Sequence, residues 1–311
     1  MKKLITALLL LSVTIISFAK ENNDSIYRRL PHTVVAAGGA VVINAAVTEG
    51  FKHGVHELRP DRTENNSFPS RHTSWAFTAS TVLSNELYRY SPWWSLGAQA
   101  LSSAVGIQRV ASRRHWGSDV VAGAVTGILS TELAYFVSRK IFGMPSPWQS
   151  SVDCDFRPSL AVSSEALFVL NNPAGRQYCT GFGMSARFRY PMSEHYGLSA
   201  TLHGFSMPVK AEGRYYAPLS SVSLSVGAAA HFRLPCPKLA VVCNSEIGPV
   251  RWVDKYNVNS AAFGFAAEAG AGIEWHLTSN YGFRGQVDYR LMTASHAIHA
   301  ISFSLSSLVL F

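Results

Sequence analysis

The chain has 311 residues, enough for two modest domains, with 48% hydrophobic and only 15% charged residues, a charge content low for a freely soluble protein. Its formal net charge of +8 and pI near 9.4 favour anionic partners. No lysine- or arginine-rich run carries that charge, which argues against nucleic acid and leaves phosphorylated lipid or an anionic membrane surface as the expected partner.

Lys2 and Lys3 open a charged n-region, Leu4 to Ile16 form an apolar core, and Ser17-Phe18-Ala19 is a small-residue cleavage site. This pattern predicts a signal peptide over 1–19. Its core falls short of the roughly 20 apolar residues that span a bilayer. The mature chain is expected to be exported and to begin near Lys20.

A helical domain is predicted over 20–150. Its apolar stretches run His32–Phe51, His72–Tyr90, Trp93–Val110 and Ser118–Phe142. Ser118 reads as the N-cap of the last, and Gly143 and Pro145 mark its end. Gly38, Gly39, Gly123 and Gly127 allow close helix approach. Asn44, Asn85, Glu86 and Glu132 interrupt the stretches, so a bundle at or against a membrane is as compatible as an integral one. The domain is expected on the periplasmic side. Trp93, Trp94 and Trp148 suit either an interface or a core.

Beyond residue 150 the period changes to two. Val222, Leu224, Val226, Ala228, Ala230 and Phe232 alternate with serine, glycine, alanine and His231, and Phe263, Phe265, Ile273 and Trp275 alternate with glycine, Glu268 and Glu274. Eight strands are predicted over 157–170, 180–191, 196–208, 219–234, 238–251, 260–278, 281–293 and 297–311. An even number with this alternation predicts a closed antiparallel membrane β-barrel over 151–311. Closure is needed because lipid offers no partner to an open edge. The alternation does not fix its own direction, since a soluble barrel would point the apolar face inward. The ending Phe303, Leu305, Val309, Phe311 resembles the terminal strand of bacterial outer-membrane barrels. That resemblance implies an outer-membrane barrel surrounded by lipid, its last aromatic read by the barrel assembly machinery. The fold class is thus a multidomain α + β chain: an all-α bundle followed by an eight-stranded antiparallel membrane barrel. Cys154, Cys179, Cys236 and Cys243 have no metal-type spacing; in an oxidising compartment they suit two bridges.

Three polar clusters stand out in the helical half: Lys52 with Arg59-Pro60, then Pro69-Ser70-Arg71-His72, then Arg109, His115 and Asp119. Such groups are costly to bury unless paired or given a ligand. His115 and Asp119 are four apart, which on a continuous helix puts both on one face, about 5–6 Å apart at Cβ. A carboxylate there fixes the imidazole tautomer and frees the other nitrogen to attack. Lys52, Arg59 and Arg109 suit the oxygens of a tetrahedral anion. Ser70 precedes a helix whose free N–H groups also favour an anion, and His72 remains to protonate a leaving oxygen. Arg113 and Arg114 fall beside His115, at a pocket mouth or near lipid head groups.

These clusters resemble the type 2 phosphatidic acid phosphatase family, in a superfamily that includes bacterial acid phosphatases and vanadium haloperoxidases. Its pattern is KxxxxxxRP, PSGH and SRxxxxxHxxxD. Lys52-x6-Arg59-Pro60 matches the first motif, Pro69-Ser70-Arg71-His72 the second with Arg71 for glycine, and Gln108-Arg109-x5-His115-x3-Asp119 the third with Gln108 for serine. The resemblance spans about residues 30–145. It implies that His115 forms a phosphohistidine, Asp119 orients it and His72 is the general acid. Lys52, Arg59, Ser70 and Arg109 hold the phosphate, with Arg71 as an added contact, and no metal or cofactor is called for. The expected reaction is hydrolysis of a phosphomonoester or pyrophosphate on an envelope lipid of lipid A, polyprenyl diphosphate or phosphatidate type. The alternatives are vanadate-dependent haloperoxidase chemistry and a catalytically weak phosphate-binding module on a structural barrel.

Overall fold

A computed structural model of the chain describes residues 26–145, 152–172, 175–211, 214–236, 238–254, 260–294 and 296–311. The expected signal peptide and Trp148 lie outside these residues. Four helices come first: α1 (Ile26–Gly54), α2 (Arg71–Leu87), α3 (Pro92–Ala111) and α4 (Gly117–Phe142). They form an up-and-down bundle. Thr33 meets Glu86 at one end of the α1–α2 pair and Glu49 meets Arg71 at the other. Gly123 and Gly127 explain why α2 and α4 lie so close: a Cβ on either would come within 2.6 Å of the Ser70 carbonyl oxygen or 2.4 Å of that of Ser74. The small residues of α4 therefore draw the start of α2 against it.

The second half forms a closed ring of eight antiparallel strands. These are β1 (Ser159–Val169), β3 (Gly181–Pro191), β4 (Tyr196–Ala211), β5 (Arg214–Arg233), β6 (Leu239–Asp254), β7 (Ser260–Thr278), β8 (Tyr281–Thr293) and β9 (Ala297–Leu310), with β9 paired back to β1. A two-residue strand, β2 (Gln177–Tyr178), adds to β4. The β4–β5 ladder continues past the predicted limits to Ala211 opposite Arg214, so this hairpin projects beyond its neighbours.

The apolar face points outward. Val222, Leu224, Val226 and Phe265 are each more than half exposed. Inside, Arg290 pairs with Glu165 and Glu268 at 3.3 and 3.0 Å, and Arg284 pairs with Glu274 at 2.8 Å. An apolar exterior around a charge-filled interior is the inverse of a soluble barrel and the pattern a lipid-exposed one requires. All four cysteines are free. Cys243 lies within β6 opposite Ala230, so the expected bridges are not formed.

The bundle lies alongside the barrel. Leu96 of α3 packs with outward-facing Val162 and Val309, and Phe182 of β3 packs with Phe77, Val110, Val120 and Ala124. Gln99 Nε2 donates to the Leu305 carbonyl at 2.6 Å, and the Ser307 hydroxyl donates to Gln99 Oε1 at 2.6 Å. Helix α3 thus covers outward-facing side chains of the barrel wall. Trp93 reaches Phe311, and Tyr88 stacks on Tyr281, at the lower rim where β1 begins and β9 ends. Trp116 meets Tyr215 and Lys210 at the upper rim, where the β4–β5 hairpin projects. Helix α3, with 20 residues, is about 30 Å long, the thickness of a hydrocarbon core. Helices α1 and α4 are also long and apolar enough to cross one.

Candidate functional site

All the predicted site residues sit at the upper end of the bundle, on the end of α1, the loop over 55–70, the start of α2, the end of α3, the α3–α4 connection that carries His115, and the start of α4. Arg113 takes a left-handed conformation (φ 59°) and turns the chain sharply from α3 into α4. The Arg114 and His115 amides both return to the Arg109 carbonyl. His115 is thereby held beside the helix end that carries Arg109.

His115 is buried, with 3% exposure, and Asp119 is fully buried. The imidazole Nδ1 lies 2.9 Å from the Ser67 carbonyl oxygen. A carbonyl can only accept, so Nδ1 carries the proton and Nε2 keeps the lone pair. Asp119 Oδ2 is 3.7 Å from the same nitrogen, beyond a hydrogen bond. The expected direct Asp119-to-imidazole bond is therefore replaced by a relay through Ser67, whose hydroxyl donates to Asp119 Oδ2. The reason is local: the same oxygen also accepts the Trp116 backbone N–H at 2.8 Å. Trp116, not Ser118, is the N-cap of α4, so Asp119 closes the helix start and anchors the loop.

The cations converge on His72. The charges of Arg109, Arg71 and Arg59 all act on its ring, and Arg71 and Arg59 also act on Lys52. Lys52 Nζ donates to the Asn66 carbonyl at 2.7 Å. Arg59 is paired with Glu64 at 2.9 Å, Arg71 with Glu49 at 2.7 Å and Arg114 with Asp61 at 3.1 Å. Arg109 has no carboxylate partner among the described residues. The Nε groups of Arg59, Arg71 and Arg109 are buried without a hydrogen-bond partner among those residues. Unpartnered charged donors are costly, and an anion would satisfy them. Ser70 is the N-cap of α2 but makes no side-chain cap, so the first N–H groups of that helix are left for a ligand. Gln108 is exposed at the margin.

Two contributors escaped the sequence reading. Ser67 holds both His115 and Asp119, yet an isolated serine in a loop carries no signal. Glu57 lies beside Asp119, and its carboxyl is pushed up to about 7, by burial first and then by the Asp119 charge. An acid between Lys52 and Arg59 was the available hint. Directly beneath the site, a groove of about 410 Å³ between α1 and α4 begins at Phe51 and Phe68 and runs down past Val47, Val125 and Leu129. It adjoins Lys52 and Ser67 in sequence and is apolar along its length.

Inside the barrel, His203, Glu246 and Glu268 form one group with metal-ligand spacing, and Cys154, Glu274 and His276 another. Both are occupied by arginines, Arg187 and Arg290 in the first and Arg189 and Arg284 in the second. Positive charges so placed oppose a cation, and these groups act as lumen ion pairs.

Residues 33–142 match the model of the PAP2 superfamily. A lipid A 1-phosphatase from Porphyromonas gingivalis is 42% identical over 108 residues, covering 35% of this chain. The match spans 24%, about a quarter, of that relative's length. Among solved structures, the attachment invasion locus protein Ail of Yersinia pestis aligns with 51% of this chain and 100% of its own, at 12% identity and a TM-score of 0.35. The outer membrane enzyme PagL aligns with 49% of this chain and 99% of its own, at 12% identity and a TM-score of 0.32. The PAP2 superfamily match thus falls on the helical half of the chain, and the eight-stranded β-barrel lies outside it.

Proposed function

We propose that this chain is an outer-membrane lipid phosphatase that removes phosphate from a phosphomonoester or pyrophosphate through a phosphohistidine at His115. The observation that carries the reading is the Ser67 carbonyl oxygen 2.9 Å from His115 Nδ1, which assigns the proton to Nδ1 and leaves Nε2 nucleophilic among cations from four other segments. In this mechanism Nε2 attacks phosphorus while Lys52, Arg59, Arg71, Arg109 and the N–H groups after Ser70 bind its oxygens. His72 gives its proton to the leaving oxygen, then takes one from the water that cleaves the phosphohistidine. Asp119 acts through charge and through Ser67, stabilising the positive ring formed during attack.

A lipid substrate is supported by the apolar groove that starts beside Lys52 and Ser67, and by the matched P. gingivalis lipid A 1-phosphatase. We take a lipid A-type 1-phosphate as the leading substrate, with polyprenyl diphosphate and phosphatidate types as alternatives. The functional division is a helical domain over 20–150 and a barrel domain over 151–311. β9, with Phe303 and Leu305 exposed on its outer face, is the strand we expect the assembly machinery to read.

We further place the bundle within the bilayer beside the barrel. Membrane barrels have short periplasmic turns and longer extracellular hairpins. β7 and β8 are joined at the lower rim by Ser279-Asn280 alone, whereas β4 and β5 extend at the upper rim. The site then faces the cell exterior and an outer-leaflet lipid. The deciding experiment offers a panel of phosphorylated envelope lipids to the wild type and His115→Ala, with acid-labile phosphoenzyme trapped in parallel. Turnover and the phosphoenzyme should both vanish in the variant. Hydrolysis undiminished in His115→Ala would refute the mechanism.

A further inference from the structure

A second cavity, of about 370 Å³, lies between the bundle and the outer wall of the barrel. It is separated from the phosphate site by the plug of Phe77, Phe182, Val110 and Val120, each at most 2% exposed. Small residues create it from both sides. On α2 the facing positions are Ser80 and Ser84. On β8 the outward row reads Tyr281, Phe283, Gly285, Val287, Tyr289, so glycine interrupts a run of large side chains. A Cβ placed on Gly285 would meet nothing within 4 Å. The cavity opens onto the lipid side of the wall, where Gly285 and Ile273 are exposed.

At its lower end the cavity is closed by Tyr88, stacked on Tyr281 at 5.3 Å. The next residue, exposed Arg89, donates from Nε to the Tyr88 hydroxyl at 2.9 Å, which leaves its terminal nitrogens to solvent. The slot is largely apolar, with the hydrogen-bonded pair Asn85 and Glu132 on its bundle wall, and a guanidinium at its rim can hold a phosphate over an acyl chain.

We propose that this cavity binds one acyl chain of a membrane phospholipid from the leaflet at the lower rim, with Arg89 on its phosphate, as a resident lipid sealing the seam between bundle and barrel. An empty slot of this size would forfeit packing contacts on every wall, and within hydrocarbon an acyl chain is the filler at hand. The inference rests on the bundle lying in the bilayer, but not on any catalytic step.

The test reconstitutes the full chain in vesicles of phosphatidylethanolamine and phosphatidylglycerol carrying a photoactivatable acyl chain, and maps the crosslinks. Labelling is expected on the cavity walls, around Ser84 and Ile273, as well as on the outer faces of α1 and α4. Gly285→Phe, and independently Ser84→Leu from the opposite wall, should reduce the cavity label at least fivefold and spare the outer-face label. Arg89→Ala should weaken retention of phospholipid in mild detergent. Label on the outer faces but not in the wild-type cavity would overturn the inference while leaving the bilayer placement intact. Absence of label from every helix would remove both. Cavity label unchanged in both filling variants would also overturn it.

Discussion

Replacing Asp119 by asparagine separates the two things its carboxylate does. Both hydrogen bonds it accepts, from the Ser67 hydroxyl and the Trp116 N–H, end on Oδ2. An amide oxygen in that position accepts both, so the start of α4 and the loop anchor survive. What is lost is a negative charge 3.7 Å from the imidazole Nδ1. At an effective dielectric constant near 20, two unit charges at that distance interact by about 4 kcal/mol, an upper limit for a site that also holds several arginines. At about 1.4 kcal/mol per decade, this corresponds to a fall in kcat of about 10²–10³ with KM little changed. Asp119→Ala differs in kind. It leaves two buried donors unsatisfied, at about 1–3 kcal/mol each, and should also destabilise the bundle. Phosphate release from a soluble phosphoester, measured beside thermal unfolding of the helical signal, distinguishes the two variants. If Asp119→Asn folds normally and keeps kcat within threefold, the charge does not assist the attack and the role assigned to Asp119 is wrong.

Glu57 predicts a pH effect. Its carboxyl is pushed up to about 7, so it is neutral at pH 6 and ionises beside Asp119 as pH rises. Because the folded value is raised, its contribution to stability is present in acid and lost through about pH 7. Substrate KM should rise above pH 7, and Glu57→Gln should remove that limb; an unaltered profile would exclude Glu57. Inside the barrel, Glu268→Leu takes one of two carboxylate partners from both Arg187 and Arg290, leaving them Glu246 and Glu165, at a cost of up to about 3–5 kcal/mol. The temperature at which the folded band disappears on detergent gels should fall, and an unchanged temperature would mean the network is solvated. Leu224 is 53% exposed on the outer wall, and Leu224→Arg should cost about 2–4 kcal/mol at mid-membrane depth. Equal refolding yields of wild type and variant in vesicles would argue against a lipid-facing position.

The sequence carried most of the architecture because each half has one dominant period. Strict alternation located the strands, two of them (260–278 and 281–293) to the residue, and the four apolar stretches located the helices. The direction of the barrel faces was not readable from alternation, which is symmetric, until the arginines and glutamates were seen to pair across the lumen. The three polar motifs place Lys52, Arg59, Ser70, His72, Arg109, His115 and Asp119 at one end of the bundle, because their spacing follows the ends of four helices. Spacing does not report which atom takes which proton. It put Asp119 four residues from His115, one turn away only if a helix ran through both, whereas the chain turns at Arg113 and the helix begins at Gly117. The room so created is filled by Ser67, from a loop whose path depends on long-range contacts such as Asp61 to Arg113 and Ser67 to Glu57.

The contact between the halves was written into the strands as exceptions. A lipid-facing row has no reason to carry Ser164, Gly285 or Ser307, since hydroxyls gain nothing from hydrocarbon and glycine packs poorly. All three lie on the outward side of β1, β8 and β9, beneath the bundle. Two of them answer polar groups on α3: Ser164 meets Ser103 at 2.8 Å and Ser307 meets Gln99 at 2.6 Å. Within a membrane no hydrophobic gain drives a helix onto an apolar wall, because lipid tails serve as well. Docking needs close approach through small residues and hydrogen bonds that lipid does not offer. At Ser164 and Ser307 the breaks in the outward alternation are therefore where α3 sits against the wall. Once the register is fixed, Ser164 and Ser307 mark the face on which the helical domain rests.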